Sequence, residues 1–333
     1  MTSNLPLIRL SSIDPFLLEL RRRGADAESL LQSLGLPFDI PASNDLFVAS
    51  STVYEFVERS AEVAGDRYLG FAIGSTLDLQ GWDPIAESAN EANTVGELLT
   101  GFTIKAAEHS SATSFYLNIA GDRSTFGFKR IDEPPDIPSQ NDAFYVGFMS
   151  KLLMHATRDH LDANKVLFCV ADPDCVPKTM EPYQVSKGDW SGVQIKFPSA
   201  WLFKSFRKSY FHSAGIQSAQ AIVPSSLLDA VRTALTPHLY ETDLSVDRAA
   251  KICGYNRRRL ASRLRQEGTS LSKEIAKLRA QKAEQDLAES NRPVSEVAEA
   301  VGFTDPTVFS RAFKNWTGQS PQQYRRDHTT TNN

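Results

Sequence analysis

Val294-Ser-Glu-Val-Ala-Glu-Ala-Val-Gly302-Phe303-Thr-Asp305-Pro306-Thr-Val-Phe309-Ser-Arg-Ala-Phe313-Lys314 is the stretch from which the fold is read. Its apolar residues keep helical spacing up to Gly302, break there, and resume at Phe309 and Phe313, four apart. The pattern means two short helices joined at a glycine, because a tight inter-helix turn asks for a positive φ that glycine adopts without strain. Asp305 stands where the second helix needs an N-cap. Pro306 stands at its first position, where a missing N–H costs nothing.

The chain carries this pattern twice. Val246, Ala249, Ala250, Ile252, Gly254 and Tyr255 are matched 48 positions later by Val294, Val297, Ala298, Ala300, Gly302 and Phe303. In the second helices Leu260 and Leu264 match Phe309 and Phe313 at an offset of 49, so the second turn is one residue longer. Asn256 takes the capping place in the first copy. Opposite the apolar stripe lie Arg257, Arg258, Ser262 and Arg265 in one copy and Thr307, Ser310, Arg311 and Lys314 in the other. Such a face suits a helix laid in a major groove: arginine grips guanine edges, hydroxyls adapt, and Lys or Arg holds phosphate. Between the copies Leu271, Ile275, Leu278, Ala283 and Leu287 predict one long amphipathic helix. Trp316 and Tyr324 read as core or capping residues.

Upstream, His212-Ser-Ala-Gly-Ile-Gln-Ser-Ala-Gln-Ala-Ile-Val-Pro224 is small, polar and nearly uncharged, and reads as a linker over 212–225. Before it the text is mixed. Pro15 to Leu34 has helical spacing, and Thr52-Val-Tyr-Glu55 and Thr94-Val-Gly-Glu97 look like capping boxes. Thr113–Ala120 and Ser124–Arg130 alternate around Gly121-Asp122, which predicts a hairpin. Asp142–His160 predicts a helix, and Val166–Val170 and Val193–Phe197 predict short strands. The expected fold class is an α+β N-terminal domain (1–211), the linker, an all-α C-terminal domain with two helix-turn-helix units joined by a long helix (226–328), and a disordered tail (329–333). A chain of 333 residues is long enough for two such cores.

The net charge of −4 hides a split. Residues 226–333 hold 17 Lys and Arg against 13 Asp and Glu, while the rest holds 19 against 27. An acidic domain joined to a basic one fits a chain of which one part meets phosphate. No apolar run approaches twenty residues and the start lacks a signal-peptide pattern, so a cytoplasmic, nucleoid-associated protein without membrane contact is expected. Cys169, Cys175 and Cys253 are too few for a disulfide framework and read as buried structural thiols. His155 and His160 are five apart, which is not the spacing of a zinc helix, so no metal is expected. Gly81-Trp82-Asp83-Pro84 reads as a Pro-stabilised loop before a helix, with a pocket rim as the alternative. There is no nucleophile elbow, phosphate loop or paired-carboxylate motif, so neither catalysis nor a cofactor is expected.

The C-terminal segment from Leu228 to Arg325 resembles the DNA-binding domain of AraC/XylS-family regulators. The likeness rests on Pro293 through Arg325, which ends Gly318-x-Ser320-Pro321-x-x-Tyr324-Arg325, and on Leu260-x-x-x-Leu264-Arg265-x-Glu267-Gly268-Thr269-Ser270. Residues from about Leu17 to Phe206 are similar to the family's arabinose-binding-like, non-cupin sensory domain. That likeness is carried by Gly65-Asp-Arg-Tyr-Leu-Gly70, Ile73-Gly74, Thr94-Val-Gly-Glu-Leu-Leu99 and Ser199-Ala-Trp-Leu-Phe203. The resemblance implies base reading by Arg257, Arg258, Ala261 and Ser262 in the first unit and by Pro306, Thr307, Ser310 and Arg311 in the second, with Arg265 and Lys314 on phosphate. Ala261 and Ser262 are short where family members often carry long polar side chains, which puts the weight of the first unit on Arg258. The expected function is a sequence-specific transcription regulator, an activator, controlled by a small-molecule effector of unknown identity. Its expected partners are double-stranded DNA, RNA polymerase and, in a homodimer, a second copy. An architectural DNA binder without effector and an N-terminal enzyme tethered to DNA stand as alternatives.

Overall fold

The computed structural model describes residues 5–37, 46–79, 83–157, 162–205, 223–224 and 226–328. The expected linker, apart from Val223 and Pro224 near its end, lies outside the described residues, as do Gly81, Trp82, His160, His212 and the tail 329–333. The chain divides into two compact units, Pro6–Val223 and, with Met1–Leu5, Pro224–Asn333.

The first unit is α+β. A two-stranded antiparallel ribbon, β1 (Leu7–Arg9) with β2 (Phe47–Ala49), packs with α1 (Asp14–Arg22), α2 (Ala27–Leu34) and α3 (Ser50–Ala64) around one core that includes Leu10, Phe16, Leu31 and Phe56. After α4 (Leu69–Thr76), α5 (Asp83–Glu91) and α6 (Val95–Ala106) come β3 (Thr113–Ala120), β4 (Arg123–Arg130), α7 (Ser139–Thr157), β5 (Leu167–Val170), β6 (Gln184–Lys187) and β7 (Gln194–Pro198). The strands form one sheet in the order β3-β4-β7-β5-β6, antiparallel except for the β5–β6 pair. Alternation puts Phe126, Phe128, Phe168, Ile195 and Phe197 into a second core with α6 and α7. Each fully buried phenylalanine there contributes about 1.5–3 kcal/mol.

The expected helical stretch Pro15–Leu34 is two helices. Gly24 turns the chain at φ 69° and Asp26 caps α2 by accepting the Ser29 N–H. The Thr52–Glu55 box does not open α3, which runs on from β2 and starts at Ser50 without a side-chain cap. The Thr94 box holds with a shift. Thr94 accepts the Glu97 N–H at 3.2 Å, while the Glu97 carboxylate reaches back to the amide of Asn93, at 2.7 Å. The sequence reading also missed α4, whose glycines mute its helical pattern. Those glycines let α4 cross α7 backbone against backbone. A Cβ at Gly74 would fall inside the Phe144 carbonyl, and one at Gly147 would lie 2.5 Å from the Phe71 oxygen.

At the entry to α7 lies a fully buried ion pair, Arg130–Asp142. Asp142 also accepts the Ala171 N–H, and Arg130 donates to the Trp190 carbonyl and the Asn141 side chain, each at 2.8 Å. Breaking such a pair by removing one partner costs about 3–5 kcal/mol. Cys175 and Cys253 are buried as expected, and burial pushes each thiol up to about 12. Cys169 is a correction: it is half-exposed, because its side chain alternates to the sheet face opposite the Phe168 and Val170 core.

The second unit is all helical: α8 (Leu227–Leu235), α9 (Val246–Ile252), α10 (Arg257–Gln266), α11 (Leu271–Glu289), α12 (Val294–Ala300), α13 (Pro306–Thr317) and α14 (Pro321–His328). The long α11 packs against each of the other six. Its buried Glu274 accepts Arg232 Nε from α8 at 2.8 Å and the Thr269 hydroxyl at 2.6 Å. No helix among the described residues is long and apolar enough to cross a membrane.

Candidate nucleic-acid interface

Two helix pairs, α9–α10 and α12–α13, present the candidate site. Each turn is made by a glycine in the left-handed region, Gly254 at φ 67° and Gly302 at φ 78°. Asn256 and Asp305 cap the second helices by accepting the N–H of Arg258 and Thr307, at 2.9 and 2.7 Å. Leu260 and Leu264 are fully buried, and so are Phe309 and Phe313. Those anchors fix which way each helix faces.

With about 100° of rotation per residue, positions 258, 262 and 265 share the face opposite Leu260 and Leu264. Arg258, Ser262 and Arg265 are all exposed there. Positions 307, 311 and 314 occupy the same places on α13, and Thr307, Arg311 and Lys314 are likewise exposed. Among the described residues, Arg258, Arg265, Arg311 and Lys314 have no ion-pair partner. Both helices therefore offer an outward stripe of three side chains, with two cations each that lack an ion-pair partner. The stripes differ in order: Arg-Ser-Arg on α10, Thr-Arg-Lys on α13.

The remaining candidates are placed differently. Arg257 is exposed but paired with Asp247 of α9 at 2.9 Å. Ala261 is half-buried on the flank. Pro306 is exposed at the helix start, and the half-buried Ser310 donates its hydroxyl to the Pro306 carbonyl at 2.8 Å. Arg259 turns to the other flank, where its guanidinium lies 5.4 Å from the Tyr255 ring centre. Arg263 lies 5.3 Å over the same ring and donates to the Tyr255 hydroxyl at 2.7 Å. Sequence reasoning missed the Asp247 pairing, because residues ten apart on different helices carry no periodic signal. Trp316 packs edge-on to Phe303, and Tyr324 to Phe313, as the core reading expects.

In the first unit, a space between sheet and α7 lined by Phe115, Phe128, Tyr145, Met149 and Phe168 measures about 10 Å³. That is room for about one water. Among the described residues no cluster of His, Cys, Asp or Glu could hold a metal ion.

Comparison with known proteins adds a second line of observation. Residues 249–327 match the family model described as a helix-turn-helix domain. Residues 24–181 match the model described as the arabinose-binding domain of AraC transcription regulator, N-terminal. The multiple antibiotic resistance protein MarA of Escherichia coli is 31% identical over 110 residues, which cover 33% of this chain and 83% of MarA. The raffinose operon transcriptional regulatory protein RafR of Pediococcus pentosaceus is 45% identical over 58 residues, 17% of this chain and only 21% of RafR. The crystal structure of transcriptional regulator CdpR from Pseudomonas aeruginosa overlays with a TM-score of 0.40 at 18% identity, covering 92% of this chain and 97% of that one.

Proposed function

Because the chain belongs to the AraC/XylS family of DNA-binding transcription regulators, with an arabinose-binding-like N-terminal domain, we propose that residues 226–328 read a specific DNA sequence and that residues 1–211 sense a small-molecule effector. One observation carries the reading: two outward stripes, Arg258-Ser262-Arg265 and Thr307-Arg311-Lys314, on helices whose opposite faces are locked in the core. In this reading Arg258 and Arg311 address base edges. Thr307, Ser262 and Ser310 trim the fit, Ala261 and Pro306 offer apolar contact, and Arg265 and Lys314 hold phosphate. Arg257 joins when its pairing with Asp247 opens.

The two helix pairs enter successive major-groove segments on one face of the duplex, about 34 Å apart. Because the stripes differ in order, the two blocks of the site differ in sequence, and one molecule reads an asymmetric site. The effector biases either dimerisation or the pose of the reading unit, a coupling of about 1–3 kcal/mol. Activation through RNA polymerase, action in the cytoplasm and a sensing rather than catalytic role for the first unit belong to the same proposal.

Selection of random duplex DNA on the full-length protein tests it. Enrichment of two unlike blocks one helical turn apart is the expected result. If the full chain and residues 226–333 alone both enrich nothing at moderate salt, sequence reading is excluded.

A further inference from the structure

The two reading helices must be held at a fixed pitch for their blocks to be read together. One base-pair step between the blocks turns the second by about 35° around the duplex axis. What fixes the pitch in this chain is not α11 alone. The turn of the second helix pair, at Gly302, presses directly on the loop that precedes the first pair. A Cβ on Gly302 would lie 2.7 Å from the Leu239 oxygen and 2.8 Å from the Glu241 oxygen, and would collide with Arg279 Nη2. Arg279 comes from the middle of α11 and sits between the two. Its Nη2 donates to the Glu241 carbonyl at 2.8 Å, on the side of the first helix pair. Its guanidinium carbon lies 5.5 Å over the ring of Phe303, the residue after Gly302, on the side of the second pair.

Beside this contact the two helix pairs stand apart. A cleft of about 280 Å³ runs between Leu244 and Val246, at the start of the first helix pair, and Trp316 of the second pair, floored by Ile275 and Ala276 of α11. The cleft opens next to the place where the Glu241 carbonyl, the Arg279 guanidinium and the Phe303 ring follow one another. Burial alone shifts the Arg279 pKa downward, and its Nε is enclosed without a partner. The residue is half-buried and lines that cleft, and it stands on α11 rather than on either recognition helix.

We propose that Arg279 is a positioning residue for DNA reading, a clamp that sets the rotation of the second helix pair against the first and hence the block spacing the protein accepts. This rests on the two-block reading above. It differs from a generic stabilising role in what it predicts: loss of the clamp blurs spacing, while each pair keeps its own reading face.

The test uses full-length protein carrying Arg279→Met, which keeps an unbranched apolar stem and removes the N–H groups and charge, and Arg279→Lys, which keeps charge without the planar stack. Two readouts are taken. The first is affinity for duplexes whose blocks are set at the preferred spacing and one or two base pairs to either side, together with duplexes holding a single block. The second, independent of DNA, is the distance distribution between spin labels placed by unnatural amino acids at the exposed positions Lys251 on α9 and Asn315 on α13. Arg279→Met is expected to lose about tenfold at the preferred spacing, the scale of one charge-assisted hydrogen bond. It is expected to flatten the spacing profile, to keep single-block affinities and to broaden the distance distribution, with Arg279→Lys in between. A wild-type spacing profile in Arg279→Met, or single-block affinities that fall in parallel with the two-block affinity, overturns the clamp. Should the wild-type protein itself show no block preference, the proposed function fails. The distance distribution then decides the clamp alone: unchanged width rejects it, broadening keeps it.

Discussion

Asp247 on α9 holds Arg257, the first residue of α10, through two contacts of 2.9 and 3.2 Å to Nη1. Both side chains are more than half exposed, at 70% and 59%. An exposed pair of this kind contributes about 0.2–1 kcal/mol, so DNA can compete for the arginine but must first displace the aspartate. Asp247→Asn removes that competition and a negative charge beside the reading helix. It is expected to tighten binding about twofold to fivefold, corresponding to ~0.5–1 kcal/mol. Arg257→Ala is expected to lose less than Arg258→Ala in the same titration. Equal losses would mean that the Asp247 pairing is broken in the complex at no cost.

The four cations without an ion-pair partner are expected to separate by role. Arg258→Ala and Arg311→Ala are each expected to cost about 1–3 kcal/mol and to relax preference at one base position. Arg265→Ala and Lys314→Ala are expected to weaken all sequences alike and to reduce the slope of log affinity against log salt by about 1. A salt series on specific and scrambled duplexes measures both. A sequence-dependent loss in Lys314→Ala would move that residue into base reading.

The reading half of the molecule was legible because its information is local. Gly302, Asp305 and Pro306 state turn, cap and helix start in five residues, and a second copy repeats them. Fixed anchors such as Phe309 and Phe313 then decide the outward face by rotation alone. The Asp247–Arg257 pair and the Arg279 contact were not legible, since each joins side chains of different helices whose approach is set only by packing. In the first unit, Gly70 and Gly74 were visible, but their meaning is a close crossing with a helix seventy residues on, and their low helix propensity argued against the helix they serve. The short edge strand β6 gave no alternation strong enough to be read. No effector site was read from the sequence, and the space beside Tyr145 measures only about 10 Å³.

The crossing of α4 and α7 is testable through its glycines. In a helix interior Ala is favoured over Gly by about 1 kcal/mol, so Gly147→Ala would stabilise if nothing stood in the way. The Phe71 carbonyl stands 2.5 Å from the added Cβ. It is backbone and cannot swing aside, so a net loss of about 3 kcal/mol is expected, at the upper end of overpacking. Gly65→Ala is the comparison. That residue closes α3 at φ 62° with open space around its Cβ, so only left-handed strain of about 1–2 kcal/mol applies. Urea unfolding should rank Gly147→Ala well below Gly65→Ala. The reverse order would show that α4 and α7 separate readily.

Glu58 on α3 reaches across to the start of α7. Its carboxylate accepts the N–H of Gln140 at 2.9 Å and of Asn141 at 3.2 Å. Burial pushes its pKa up from 4.5 to about 7, against the amide bonds that pull it down, with Asp142 adding to the rise and Arg130 opposing it. A carboxyl raised in the folded state binds more protons folded than unfolded between those two values. The stability it contributes is therefore full below pH 4.5 and is lost as pH climbs through 7. Gln at this position keeps an oxygen for both amides and cannot ionise. The melting temperature of Glu58→Gln minus that of the wild type should therefore rise steadily over this pH window and level off above it. Other carboxyls, Asp14 among them with a pKa raised to about 6 by burial, titrate in both proteins and cancel in the difference. A difference that stays constant with pH would show that Glu58 is already ionised and solvated, and that α7 is capped without an electrostatic penalty.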